Sequence, residues 1–140
     1  MTLTTQSQTR GIAFSVIGIP APQGSKRHVG HGILIESSKK VGPWRDDVRA
    51  EAIDAMDGAA PFAGPVDVWI TFEFIRPPSA PKSRVLPSVR PDLDKLVRST
   101  LDALKSAGVY GDDSQVTDLT ARKRYGLRSG ATVTVREVSL

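Results

Sequence analysis

Five aspartates flank one short amphipathic segment: Asp92 and Asp94 at its start, Asp112, Asp113 and Asp118 beyond its end. The stretch opens Arg90-Pro91-Asp92-Leu93-Asp94-Lys95-Leu96 and closes Gly108-Val109-Tyr110-Gly111-Asp112-Asp113-Ser114-Gln115-Val116. Hard divalent cations such as Mg²⁺ prefer carboxylate oxygens, and they serve where a phosphate must be held and attacked. The chain around this acidic run is basic, with a net charge of +4 over 140 residues and a pI of about 9.7. Residues 91–118 carry six Asp against Lys95, Arg98 and Lys105, a local charge of −3, so the remainder carries +7. A basic surface favours polyanionic partners through phosphate attraction and counterion release. With an acidic pocket set into it, it has the charge pattern of a metal-dependent nuclease.

Each carboxylate also has a plainer reading. Asp92 stands where an N-cap belongs, and Asp94 lies in a first turn, where the helix dipole favours negative charge. Asp112 and Asp113 follow Tyr110-Gly111 and suit a turn. Capping leaves the second acidic pair unexplained, and turn chemistry leaves the first. A helix of about fifteen residues is roughly 22 Å long, so its ends are not adjacent by default. For Asp113 to meet Asp92 and Asp94, the chain after Gly108 must turn back along the helix. Arg98 lies four residues after Asp94 and so on the same face. It either forms a surface ion pair with Asp94 or neutralises charge on a bound phosphate. Asp102 continues that face one turn on and reads as solvated, as does Asp118.

The elements that must position these groups follow from periodicity. Residues 12–19 read as a strand, and 33–36 as a short one after a loop holding Lys26, Arg27, His28 and His31. Pro43 opens a helix that places Trp44, Val48, Ala52, Ile53 and Met56 on one face and stops at Gly58. Residues 66–74 alternate apolar and polar as a half-buried strand does. A Pro-rich connector over residues 77–91, with Lys82, Arg84 and Arg90, is long enough to move. A second helix spans residues 92–107, with Leu93, Leu96, Val97, Leu101 and Leu104 inward and Gly108 as its stop. Residues 116–125 and 131–138 close the order as strands. The expected class is α/β (α+β), a small mixed sheet with two main helices packed on it. Residues 1–10 read as a disordered tail and 11–140 as a single domain.

The absence of cysteine excludes disulfides, zinc-thiolate sites and thiol catalysis. No stretch is long and apolar enough to span a membrane, and the first ten residues lack the apolar core of a secretory signal, so a cytoplasmic location is expected. Tyr110-Gly111-Asp112-Asp113 spells a polymerase palm motif, but 140 residues cannot supply that fold. Gly24-Ser25-Lys26 lacks the order of a phosphate-binding loop.

Taken together, Arg-Pro-Asp-Leu-Asp-Lys-Leu, Leu101-Asp102-Ala103-Leu104, Gly108-Val109-Tyr110 and Asp112-Asp113-Ser114-Gln115-Val116 closely resemble the RusA family of Holliday junction resolvases. Gly18-Ile19-Pro20 with Gln23-Gly24-Ser25-Lys26-Arg27 is similar to the basic N-terminal motif of its phage-type members. The likeness spans most of residues 16–125. It implies an intertwined homodimeric endonuclease, encoded by a phage or prophage and acting in the bacterial cytoplasm, that resolves four-way DNA junctions with Mg²⁺, for which Mn²⁺ can substitute. By this resemblance Asp92, Asp94 and Asp113 correspond to the metal-binding carboxylates. Arg98 stands where the family usually carries a catalytic lysine, and Lys95 where it often has asparagine. Arginine keeps the charge but cannot donate a proton at ordinary pH. Lys26, Arg27, Arg45, Lys82, Arg84, Lys123 and Arg124 are the candidates for gripping DNA phosphates, which positions the duplex without reading its sequence. Two other readings stay open: a non-catalytic junction-binding protein, and a Mg²⁺ phosphohydrolase acting on nucleotides.

Overall fold

The alternation of residues 66–74 becomes the central strand of a mixed sheet. In a computed structural model of the chain, residues 9–24, 26–28, 34–36 and 39–139 are described. Their elements are β1 (Gly11–Ile17), β2 (Lys26–His28), β3 (Leu34–Glu36), α1 (Val41–Met56), β4 (Val66–Ile75), α2 (Leu93–Ser106), β5 (Val116–Gly126) and β6 (Gly130–Glu137). The four long strands lie in the order β1-β6-β4-β5. β6 is antiparallel to both β1 and β4, whereas β4 and β5 are parallel. That parallel pair requires a crossover, and α2 supplies it. The class is α+β, as expected.

Val66, Val68, Ile70 and Phe72 of β4 are buried, and they share one core with Val133 and Val135 of β6 and both helices. α1 contributes Trp44, Val48, Ala52 and Met56, and α2 contributes Leu96, Val97, Ala103 and Leu104. The Trp44 and Phe72 rings meet at 6.4 Å with a 53° tilt, the tilted geometry aromatic pairs favour. Opposite residues of β4 face away from the helices, and Trp69 among them is 46% exposed.

Two buried hydroxyls of α2 tie it to α1 and to the loop after β1. Thr100 Oγ1 donates to Leu96 O at 2.9 Å and accepts from Trp44 Nε1 at 3.2 Å. Ser99 Oγ donates to Ala21 O at 2.6 Å, while Gln23 N donates to Lys95 O at 2.9 Å. The loop after β1 is thereby docked onto α2. Thr100→Val keeps the shape but leaves the Trp44 N–H buried and unpaired, so it is expected to cost about 1–3 kcal/mol. Urea unfolding should show a lower midpoint with an unchanged slope.

Three details differ from the sequence expectations. Lys26–His28 forms a strand antiparallel to Leu34–Glu36, where a loop was expected. Lone three-residue strands carry too little periodicity to register. Asp92 is the N-cap residue of α2 by position, but its side chain makes no capping hydrogen bond; it faces Lys95 Nζ at 3.7 Å instead. The Pro-rich connector is tied down, not free. Arg76 donates to Ala80 O at 3.2 Å and also reaches Pro81 O and Arg84 O. Lys123 Nζ holds Val89 O at 2.8 Å and Pro91 O at 2.9 Å. His31, the strand expectation at Ile33 and nearly all of the expected N-terminal tail lie outside the described residues.

Candidate active site

The chain from Gly108 to Val116 is built around one glutamine. Gln115 Oε1 accepts from Gly111 N at 2.8 Å and Asp112 N at 3.1 Å. Its Nε2 donates to Phe62 O at 2.8 Å and Gly64 O at 2.9 Å. Asp112 caps the short 3₁₀ turn Asp113–Gln115 by accepting from Ser114 N at 3.4 Å, closing a capping box with Gln115. Hydrogen bonds from Ser114 hold the Asp112 carboxyl below its usual range. With its acceptors committed, Asp112 is spent on the turn. Asp113 is left to face inward.

Asp113 Oδ1 is buried with no hydrogen-bond partner. Burial, then the charge of Asp102, raises the Asp113 carboxyl above its ordinary value. Tyr110, itself buried, donates to Leu101 O at 2.9 Å and lies against Asp113. Burial and the Asp113 charge push its phenol far up, so it stays protonated. Although the Tyr110 hydroxyl lies against the carboxyl, Oδ1 itself is unpaired, and a cation would satisfy it.

Asp113 opens on a cleft of about 680 Å³ between α2 and β5, which Asp94 and Arg98 also line. The floor is apolar: Leu93, Val97 and Leu101 from α2, Leu119 and Ala121 from β5. Asp94 and Arg98 are exposed, and among the described residues no ion pair within 4.0 Å joins them. The surface ion pair is thus not made. Arg98 remains available to an anion.

The geometric condition on Asp113 is met only in part. Asp113 lies at the level of Asp102, eight residues or about 12 Å along the helix from Asp94. Asp92 lines a different cleft with Lys95, Arg90 and the loop after β1. Among the described residues, no three His, Cys, Asp or Glu are gathered closely enough to hold a metal ion. The donor set is still suited to Mg²⁺, which commonly takes one or two carboxylates together with substrate phosphate and water. Asp94 and Asp113 are the carboxylates that open on the shared cleft.

The basic candidates divide by what holds them. Arg45 Nη1 donates to Gln23 Oε1 at 2.9 Å and lies 3.9 Å from Asp102 Oδ2. Lys123 is committed to the connector's carbonyls at Val89 and Pro91. Lys82 and Arg124 are exposed, and Arg84 is half-buried. Lys26 and Arg27 lie in β2. Two neighbours of Asp113 escape a reading of the sequence. Asp102 is visible there only as the next member of the Asp94–Arg98 face, and nothing marks Tyr110 as more than a turn aromatic.

A family model described as Endodeoxyribonuclease RusA matches residues 18–136, most of the chain. The chain belongs to the RusA family. A segment of 60 residues is also 42% identical to the uncharacterized protein YqaN of Bacillus subtilis (strain 168), covering 43% of this chain and 42% of that protein. The chain thus aligns with less than half of that relative's length. No helix among the described residues of the RusA-family chain is long and apolar enough to cross a membrane.

Proposed function

We propose that the chain is a Mg²⁺-dependent endonuclease that resolves four-way DNA junctions as a homodimer, by symmetric cleavage in recombination and repair. The observation that carries this reading is the shared cleft of Asp94, Arg98 and Asp113 in a chain of an endodeoxyribonuclease family. Asp92, Asp94 and Asp113 are the proposed metal ligands, and Mn²⁺ is expected to substitute. The bound cation would supply a water of lowered pKa and charge neutralisation at the phosphate. Asp113, half-buried with its Oδ1 unpaired, accepts positive charge there at little reorganisation. Asp94 fixes the other side of the cleft from the first turn of α2. Arg98, on the same face, offers a planar fork to a non-bridging phosphate oxygen. Because arginine stays protonated, its part is electrostatic, and the leaving oxygen takes its proton from water. The products carry a 5′-phosphate and a 3′-hydroxyl.

A non-catalytic junction binder would have no use for the orphaned Asp113 oxygen, which costs stability in the absence of a cation. The cleft holds no aromatic side chain to stack on a base, unlike a pocket for a nucleotide. Exposed Lys82 and Arg124 suit a larger anion. A cytoplasmic, phage- or prophage-derived role accords with the same resemblance.

Asp94→Asn is the sharpest single variant for the chemistry. It keeps size and helix position while removing the charge, so junction binding should persist and cleavage should fall at least about a hundredfold. Gel-shift and cleavage assays on one synthetic four-way junction measure both. Unimpaired cleavage would remove Asp94 from the mechanism.

A further inference from the structure

β5 carries the basic run Arg122-Lys123-Arg124, which the alternation of the strand parts. Lys123 pairs in register with buried Phe72 of β4, on the side of the sheet that holds the helices. Arg122 and Arg124 alternate to the other face and are exposed. On the helix side, Leu119 and Ala121 line the cleft of Asp94 and Asp113, and Lys123 is the next residue in that row. Among the described residues, no carboxylate pairs with its amine within 4.0 Å. It donates instead to Val89 O at 2.8 Å and Pro91 O at 2.9 Å.

Those carbonyls lead into the acidic start of α2. Pro91 O belongs to the planar peptide unit that ends in the Asp92 N–H, so holding it fixes the plane on which Asp92 is mounted. From the other side, Asp92 O accepts from Leu96 N at 3.1 Å. The Asp92 side chain makes no capping hydrogen bond, and its 3.7 Å pair with Lys95 is exposed. Exposed ion pairs hold a side chain weakly. The aim of Asp92 is therefore set by its backbone. Five prolines within residues 77–91 leave the connector short of N–H groups with which to hold itself. The donor comes from the sheet.

We propose that Lys123 is a positioning residue of the nuclease site. Through the Pro91 carbonyl it sets Asp92, and with it Asp94, for the metal, and it does not grip DNA phosphate. This rests on the nuclease reading and adds a residue to that site. Lysine suits the task, because its amine is all donor and no acceptor. Its long stem spans from the sheet to the connector while the amine holds carbonyls on both sides of Arg90. Groups behind metal ligands commonly change metal affinity or activity by about ten- to a hundredfold when removed.

The test separates the two things a lysine at this place could do. Lys123→Met keeps most of the stem and removes the donors. Its affinity for a four-way junction in EDTA, measured across a salt series, should match wild type in value and in slope. A lysine that neutralises a phosphate would instead lower that slope by about one on removal. Single-turnover cleavage at saturating protein should fall by about a hundredfold. The rise in melting temperature that Mg²⁺ gives without DNA should need about tenfold more Mg²⁺. In metal-free protein the amide resonances of Asp92 and Asp94 should shift. Lys123→Arg, which can still donate to both carbonyls, should recover most of each loss. If Lys123→Met does not fold, Lys123→Gln, with a shorter donor, is read by the same assays. A salt slope lowered by about one, or wild-type cleavage with a wild-type Mg²⁺ response, overturns the positioning role. Unshifted Asp92 and Asp94 amides overturn the clamp itself. A wild-type protein that never cuts a junction overturns the nuclease reading instead, and the amide shifts still decide the clamp.

Discussion

Asp113→Asn is expected to abolish cleavage and, in metal-free protein at neutral pH, to raise the melting temperature by about 3 °C. The two effects share one cause. Asp113 Oδ1 is buried without a donor, and burial with the nearby Asp102 charge raises the carboxyl. A group whose folded pKa exceeds its unfolded value contributes fully below the unfolded value and loses that contribution as pH rises through the folded one. At pH 7 the ionised Asp113 is thus a cost to the fold. Asparagine removes the charge and can donate its amide to Asp102. The gain should be present at neutral pH and disappear below the ordinary carboxylate value of 3.8. Saturating Mg²⁺ should stabilise the wild type and leave the variant unmoved, by simple linkage. Thermal melts at two pH values, with and without Mg²⁺, read all of this. A variant less stable than wild type at pH 7 would show that Asp113 is a structural residue of the turn.

The second large effect belongs to a residue with no chemistry of its own. Gln115→Ala removes four hydrogen bonds that join Gly111, Asp112, Phe62 and Gly64. Three of the freed partners, Gly111 N, Asp112 N and Gly64 O, are exposed and can turn to water, so the loss should be roughly 2–3 kcal/mol, not the sum of four bonds. The turn that aims Asp113 loosens at the same time. A displacement of about 1 Å at a catalytic group can cost on the order of a hundredfold in rate. Cleavage should therefore fall by that order at a temperature where the variant remains folded, with junction affinity nearly unchanged. Gln115→Glu separates the two roles: its carboxylate can still accept from Gly111 and Asp112 but cannot donate to Phe62 and Gly64. An intermediate loss is expected in both stability and rate.

Much of this architecture is legible in the amino-acid sequence. The β4 alternation and the α2 periodicity are long enough to outweigh local noise, and both elements fall within a residue or two of their expected bounds. The capping role of Asp112 is legible as turn chemistry because Asp and Gly carry it locally. What does not show is everything set by contacts distant in sequence. Gln115 reaches back more than fifty residues to Phe62, and Lys123 reaches back more than thirty to Val89 and Pro91, so neither role leaves a trace in spacing. Nor does the sequence say which way Asp92 turns. It turns to Lys95, one helical turn on, in a cleft that the loop after β1 also lines.

If Asp94 and Asp113 make this chain a metal-dependent junction nuclease, one measurement shows it most directly. It is cleavage of a mobile four-way junction by the wild-type protein in Mg²⁺, with product ends mapped on every strand, repeated in excess EDTA. Paired, symmetric nicks with 5′-phosphates that vanish in EDTA and return on adding Mg²⁺ are the predicted result. Tight junction binding with intact strands in Mg²⁺ and Mn²⁺ alike would contradict it.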